Sequence, residues 1–100
     1  NVLFSSPPKM SPNDFSRQLK AKGIVLDLKS QALFHGKQFF INGEQITMQA
    51  SHANALKLLA DQRYLTASSF KDKNFASPSL VNILYQWYQD GYLQFPEVGG

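Results

Sequence analysis

Apolar and polar positions alternate along this chain in short blocks, some with helical spacing and some with strand spacing. The first ten residues contain Ser5-Ser6-Pro7-Pro8, which interrupts regular structure, so 1–10 reads as a linker or arm. Ser11 then precedes Pro12, with Asp14 two residues on. That is an N-cap, a proline at the first helical position and an acid in the first turn. The spacing predicts a helix to about Lys22, with Phe15 and Leu19 as its apolar stripe and Gly23 as its stop. Ile24–Leu28, Gln31–His35, Gln38–Ile41 and Glu44–Met48 read as strands, with a turn at His35-Gly36-Lys37. Asn42-Gly43 is a strong signal for a type I′ hairpin turn. These strands predict one small antiparallel sheet in the first half.

The second half has helical period. Ser51 is the expected cap of a helix to about Asp61, buried through Ala55, Leu58 and Leu59. Thr66 is the expected cap of a short helix through Phe70. Ser77-Pro78 repeats the cap-then-proline pattern and opens a helix to Asp90, stopped by Gly91. Tyr92–Phe95 is a closing strand, and 97–100 is a tail. The fold class is α+β: a winged-helix-like domain over 11–96, with a small antiparallel sheet and three to four short helices.

Composition narrows the function. The chain has 100 residues, 43% of them hydrophobic and 17% charged, which is the composition of one folded domain rather than of a disordered segment. It has no cysteine, which excludes disulfides and thiolate metal sites. No apolar run reaches the length that spans a bilayer, and no secretory leader is visible. The chain starts at Asn1 rather than Met, so a fragment of a longer protein is the expectation.

Candidate chemistry is sparse. His35 beside a turn glycine and His52 near a helix start read as turn and helix-end polarity, because two histidines and seven scattered carboxylates do not converge at metal-ligand spacing. The serines sit at caps and turns, none in a glycine-flanked elbow, and no glycine-rich phosphate loop occurs. No catalytic, cofactor-binding or metal residue is therefore assigned.

In a winged-helix reading the last helix is the recognition-helix candidate. It carries Asn82, Gln86 and Gln89 but no cation, and it ends in Asp90, which argues against DNA. Leu80, Ile83, Leu84 and Trp87 form one apolar stripe, and Val81, Tyr85 and Tyr88 a second. Such a helix reads as core. If an aromatic stripe stays exposed, Tyr85, Trp87 and Tyr88 become candidate protein contacts. The net charge is +3, weighted to the first half, where six cations through Lys37 face Asp14 and Asp27. Arg17, Lys20 and Lys22, on the polar side of the first helix, with Lys71 and Lys73, are the candidate basic contacts toward an acidic partner or nucleic acid.

The succession Phe40-Ile41-Asn42-Gly43-Glu44-Gln45-Ile46, Leu58-Leu59-Ala60-Asp61, Leu65-Thr66, Leu84, Trp87-Tyr88 and Gly91-Tyr92-Leu93-Gln94-Phe95 resembles the C-terminal winged-helix domain of bacterial cupin-type (JmjC-like) ribosomal oxygenases, over roughly Pro8 to Phe95. The resemblance implies a cytoplasmic parent with an N-terminal double-stranded β-helix that binds Fe(II) and 2-oxoglutarate through an HxD…H triad. It also implies a helical dimerisation segment, hence a homodimeric parent, and hydroxylation of a ribosomal protein on arginine. Nothing here matches the triad. The chain itself is then an accessory domain that contacts the remainder of its enzyme. The alternatives are a free-standing winged-helix module that binds nucleic acid or protein, and a structural domain of an unrelated protein.

Overall fold

The computed structural model describes residues 9–35, 38–46, 50–71 and 77–96. In chain order the elements are α1 (Pro12–Lys22), β1 (Ile24–Leu26), β2 (Ala32–His35), β3 (Gln38–Ile41), β4 (Glu44–Ile46), α2 (Ala50–Gln62), β5 (Tyr64–Leu65), a 3-10 helix (Ala67–Lys71), α3 (Pro78–Gln89) and β6 (Leu93–Gln94). The turn expected at Gly36-Lys37 and the last two residues of the fourth expected strand, Thr47 and Met48, lie outside the described residues.

The helix starts follow their caps. Ser11 Oγ accepts from the Asp14 amide at 3.2 Å, and Ser77 Oγ accepts from the Leu80 amide at 3.4 Å. α2 begins at Ala50, so Ser51 lies within its first turn instead of capping it. Thr66 does not cap in the expected way either. Its hydroxyl meets those of Ser68 and Ser69 at 3.0 Å, and the turn it opens is the 3-10 helix.

The strands form two three-stranded antiparallel sheets rather than one. β2, β3 and β4 make a meander, with Leu33 opposite Phe40 and Phe40 opposite Gln45. Asn42 and Gly43 turn β3 into β4 with φ of 51° and 83°, the pair of positive values a type I′ turn requires. β1 leaves that meander and becomes the centre of the other sheet, between β5 and β6. The reason is burial. Ile24 and Leu26 are both buried, so β1 has to pair on both edges inside the core. Gly23 makes the entry possible: with φ +75°, it passes so close to the next segment that a Cβ there would lie 2.3 Å from the Leu65 carbonyl oxygen.

One core joins these parts. Phe15 and Leu19 of α1, Ile24 and Leu26 of β1, Phe39 and Ile41 of β3, Ala55, Leu56 and Leu59 of α2, and Leu80, Leu84, Trp87 and Tyr88 of α3 are buried together. Phe15 sits among Tyr85, Tyr88 and Phe95, with ring centroids 5.2, 5.3 and 5.5 Å away. Such tilted contacts suit aromatic quadrupoles. The Tyr85 hydroxyl also donates to the Met10 carbonyl at 2.5 Å, tying the segment that enters α1 to α3.

Candidate functional site

α3 is a core helix. Trp87 and Tyr88 are each 4% exposed, and Tyr85 is half-buried. The expected aromatic contact stripe is therefore used inside the domain: Trp87 stacks on Phe39, while Tyr85 and Tyr88 enclose Phe15. Burial pushes the Tyr88 phenol above its ordinary range, and the neighbouring Tyr85 adds to this. The outward strip of α3 consists of Ser79, Asn82, Gln86 and Gln89, followed by Asp90. Gln86 Nε2 donates to Asp90 Oδ1 at 3.2 Å, so one of the few groups able to read a base edge is engaged by a carboxylate.

The basic candidates on α1 do not share one side of the helix. Arg17 pairs with Asp14 at 3.4 Å on the surface of α1, a contact worth little in water. Lys20 and Lys22 are exposed in the last turn, where a cation complements the helix dipole. Two residues of an α-helix subtend about 200°, so Lys20 and Lys22 leave nearly opposite sides of it. This corrects the expectation that they share the polar side with Arg17. Lys71 is exposed at the end of the 3-10 helix, which packs against α1. Lys73 lies outside the described residues.

Neither histidine behaves as a ligand among the described residues. His35 is exposed in β2. His52 is 2% exposed, not polarity at a helix end, and its Nε2 lies 2.9 Å from Ser79 Oγ, bridging α2 to the first turn of α3. Among the described residues, no three His, Cys, Asp or Glu side chains come together as a metal site. The described residues thus supply no ligand set for iron, and no step through it is assigned to them. Among the described residues, no helix is long and apolar enough to cross a membrane.

The most developed polar constellation was not anticipated. It is built around the turn Asp27–Ser30. Asp27 Oδ1 accepts from the Lys29 amide, and the Asp27 carbonyl accepts from the Ser30 amide, both at 2.9 Å. Arg63 Nη2 donates to the carbonyls of Asp27 at 3.0 Å and Ser30 at 2.8 Å. The Asp27 amide and the buried Ser30 hydroxyl both donate to the Tyr92 carbonyl. Asn42, at the hairpin tip, donates to Ser30 Oγ at 3.3 Å and accepts from the Gln31 amide at 2.8 Å. Four chain segments thus meet at one turn. Asp at its first position was the available signal, but the expected strand Ile24–Leu28 covers it.

Solved structures of the Escherichia coli ribosomal oxygenase YcfD align with 97% of this chain at 27% identity, and in a second structure with 96% at 28% identity. The TM-score is 0.78 in both. A further YcfD structure with the same 27% identity, 97% coverage and TM-score of 0.78 holds cobalt and 2-oxoglutarate. The chain spans only about a quarter of these proteins, 27% and 26% of their length. No curated protein matches it. The family described as ROXA-like winged helix matches residues 1–94, and the chain belongs to that family.

Proposed function

We propose that the chain is the non-catalytic, protein-contacting C-terminal accessory domain of a cytoplasmic, cupin-type (JmjC-like) oxygenase that uses Fe(II) and 2-oxoglutarate to hydroxylate a ribosomal protein. The observation that carries this reading is the alignment of nearly the whole chain with about a quarter of a ribosomal oxygenase. The physical features agree with it. α3 spends its aromatic surface on the domain's own core, and its outward strip is neutral to acidic, which suits neither a DNA reader nor an active site. In this reading the oxygenase chemistry belongs to the remainder of the parent, a homodimer in the resemblance. This domain contributes a rigid surface beside the site where a ribosomal protein is held.

The test is the full coding frame. A preceding β-rich region with an HxD…H motif is the expected result. A frame that opens immediately before Asn1 would overturn the proposal and return the chain to a free-standing winged-helix module.

A further inference from the structure

The Asn42-Gly43 pair that turns β3 into β4 is also a reactive pair. Of the chain's asparagines, at positions 1, 13, 42, 54, 74 and 82, Asn42 alone precedes glycine. An asparagine side chain is open to attack by the backbone nitrogen of the next residue, and glycine, with no Cβ, hinders that nitrogen least. Gly43 is exposed, and even a Cβ placed on it would meet nothing within 4 Å, so the space around it is open.

The Asn42 side chain, by contrast, is clamped. Its Oδ1 accepts from the Gln31 amide at 2.8 Å, and its Nδ2 donates to Ser30 Oγ at 3.3 Å. Chemistry fixes this orientation: the Gln31 amide only donates, so the oxygen faces it and the nitrogen faces Ser30. Ser30 is 1% exposed, and its hydroxyl proton goes to the Tyr92 carbonyl at 2.9 Å. Toward Asn42 it therefore offers only a lone pair. A side-chain amide satisfies that lone pair. A carboxylate, which has no proton to give at neutral pH, would set acceptor against acceptor beside a buried group. The junction of the hairpin with the Asp27–Ser30 turn thus requires asparagine rather than aspartate, at the one asparagine whose neighbour most favours that conversion.

We propose that Asn42 is a site of spontaneous deamidation, that the Ser30–Gln31 clamp holds the reaction back while the domain is folded, and that the acid it produces does not re-form the clamp. In the reaction the Gly43 nitrogen gives its proton to water and bonds to Asn42 Cγ. The Cγ–Nδ2 bond breaks, and the nitrogen takes up a proton and leaves as ammonia. Water then opens the succinimide ring, at Cγ to give aspartate or at the backbone carbonyl to give isoaspartate. One water is consumed for each ammonia released, and nothing is oxidised or reduced.

The experiment incubates the full-length protein at mildly alkaline pH, once folded and once in guanidinium, and follows the mass of the peptide that carries position 42. The unfolded protein should convert Asn42 faster than Asn54 or Asn82, which precede alanine and isoleucine. The folded protein should convert Asn42 roughly tenfold more slowly or less, because the clamp has to open first. Equal rates in the two states, or no preference for Asn42 in the unfolded chain, would overturn the proposal. Asn42→Asp supplies the product directly. It should speed hydrogen exchange at the Asp27 and Ser30 amides, and exchange as slow as in the wild type would also overturn the proposal. The conversion rates need only the wild-type protein, so they decide the matter even where that variant fails to fold.

Discussion

The indole of Trp87 stacks on the ring of Phe39, with centroids 5.7 Å apart and planes inclined by 23°. Through this pair the helix that would read DNA in a nucleic-acid-binding winged helix is fastened to the central strand of the meander. Both rings are buried, at 4% and 0% exposure. Trp87→Ala should cost about 3–5 kcal/mol, and Trp87→Phe much less, because the smaller ring still covers Phe39. A double-mutant cycle of Trp87 and Phe39 in urea should return a coupling of about 0.5–1.5 kcal/mol. Additive losses would mean the stacking geometry contributes nothing beyond burial.

Two glycines with similar backbone angles should respond differently to alanine. Gly23 and Gly43 have φ of 75° and 83°, so a side chain at either is strained, by about 1 kcal/mol. At Gly43 a Cβ meets nothing within 4 Å, whereas at Gly23 it runs into the backbone of 65–67. Gly23→Ala should therefore lose at least about 1–3 kcal/mol more than Gly43→Ala. The melting temperatures of the two variants decide this.

How much of this could be read from the sequence depends on the range of the interactions. α1 and α3 were legible almost to the residue, because Ser11-Pro12 and Ser77-Pro78 are local signals and each cap is a contact over three residues. The Asn42-Gly43 turn was legible for the same reason. The two-sheet arrangement was not. β1 pairs with strands about forty and seventy residues away, and the two-residue strands β5 and β6 are too short to show a period. The histidine on α2 was misread because its partner, Ser79, is 27 positions distant. That α3 carries no cation is a fact of the sequence itself. Its two apolar stripes already read as those of a core helix, and the burial of Trp87 and Tyr88 agrees; which rings they pack against, Phe39 and Phe15, was left to the structure.

Alkaline pH should weaken the fold through Tyr88. Its phenol is raised in the folded chain by burial first and by Tyr85 second, against an unfolded value of about 10. The neutral form is the one the core accepts. Its stabilising share is fully present below pH 10 or so, and it is lost as pH rises through the higher folded value, because the unfolded chain releases its proton first. A melting curve taken from pH 8 to 11 should fall toward the alkaline end. Tyr88→Phe, which keeps the ring between Phe15 and Phe95, should flatten that fall. An unchanged slope in the variant would place the effect on other tyrosines.

Duplex DNA should not be a ligand of this domain. The strip of α3 that faces outward offers amides and Asp90, and Lys20 and Lys22 diverge on α1, so neither helix lines up cations along a phosphate backbone. Titration with duplex DNA at low salt should give no shift at micromolar protein. Binding that weakens steeply with added salt would reopen the nucleic-acid reading.

The proposal that this domain serves a ribosomal protein hydroxylase is tested by incubating the full-length protein with ribosomal proteins, Fe(II), 2-oxoglutarate and oxygen, and weighing the products. One ribosomal protein should gain a single oxygen atom, and only when 2-oxoglutarate is present. Deleting residues 1–100 of this chain from the full-length protein should reduce that modification. Active 2-oxoglutarate turnover with every ribosomal protein left unmodified, or full modification without this domain, would contradict the proposal.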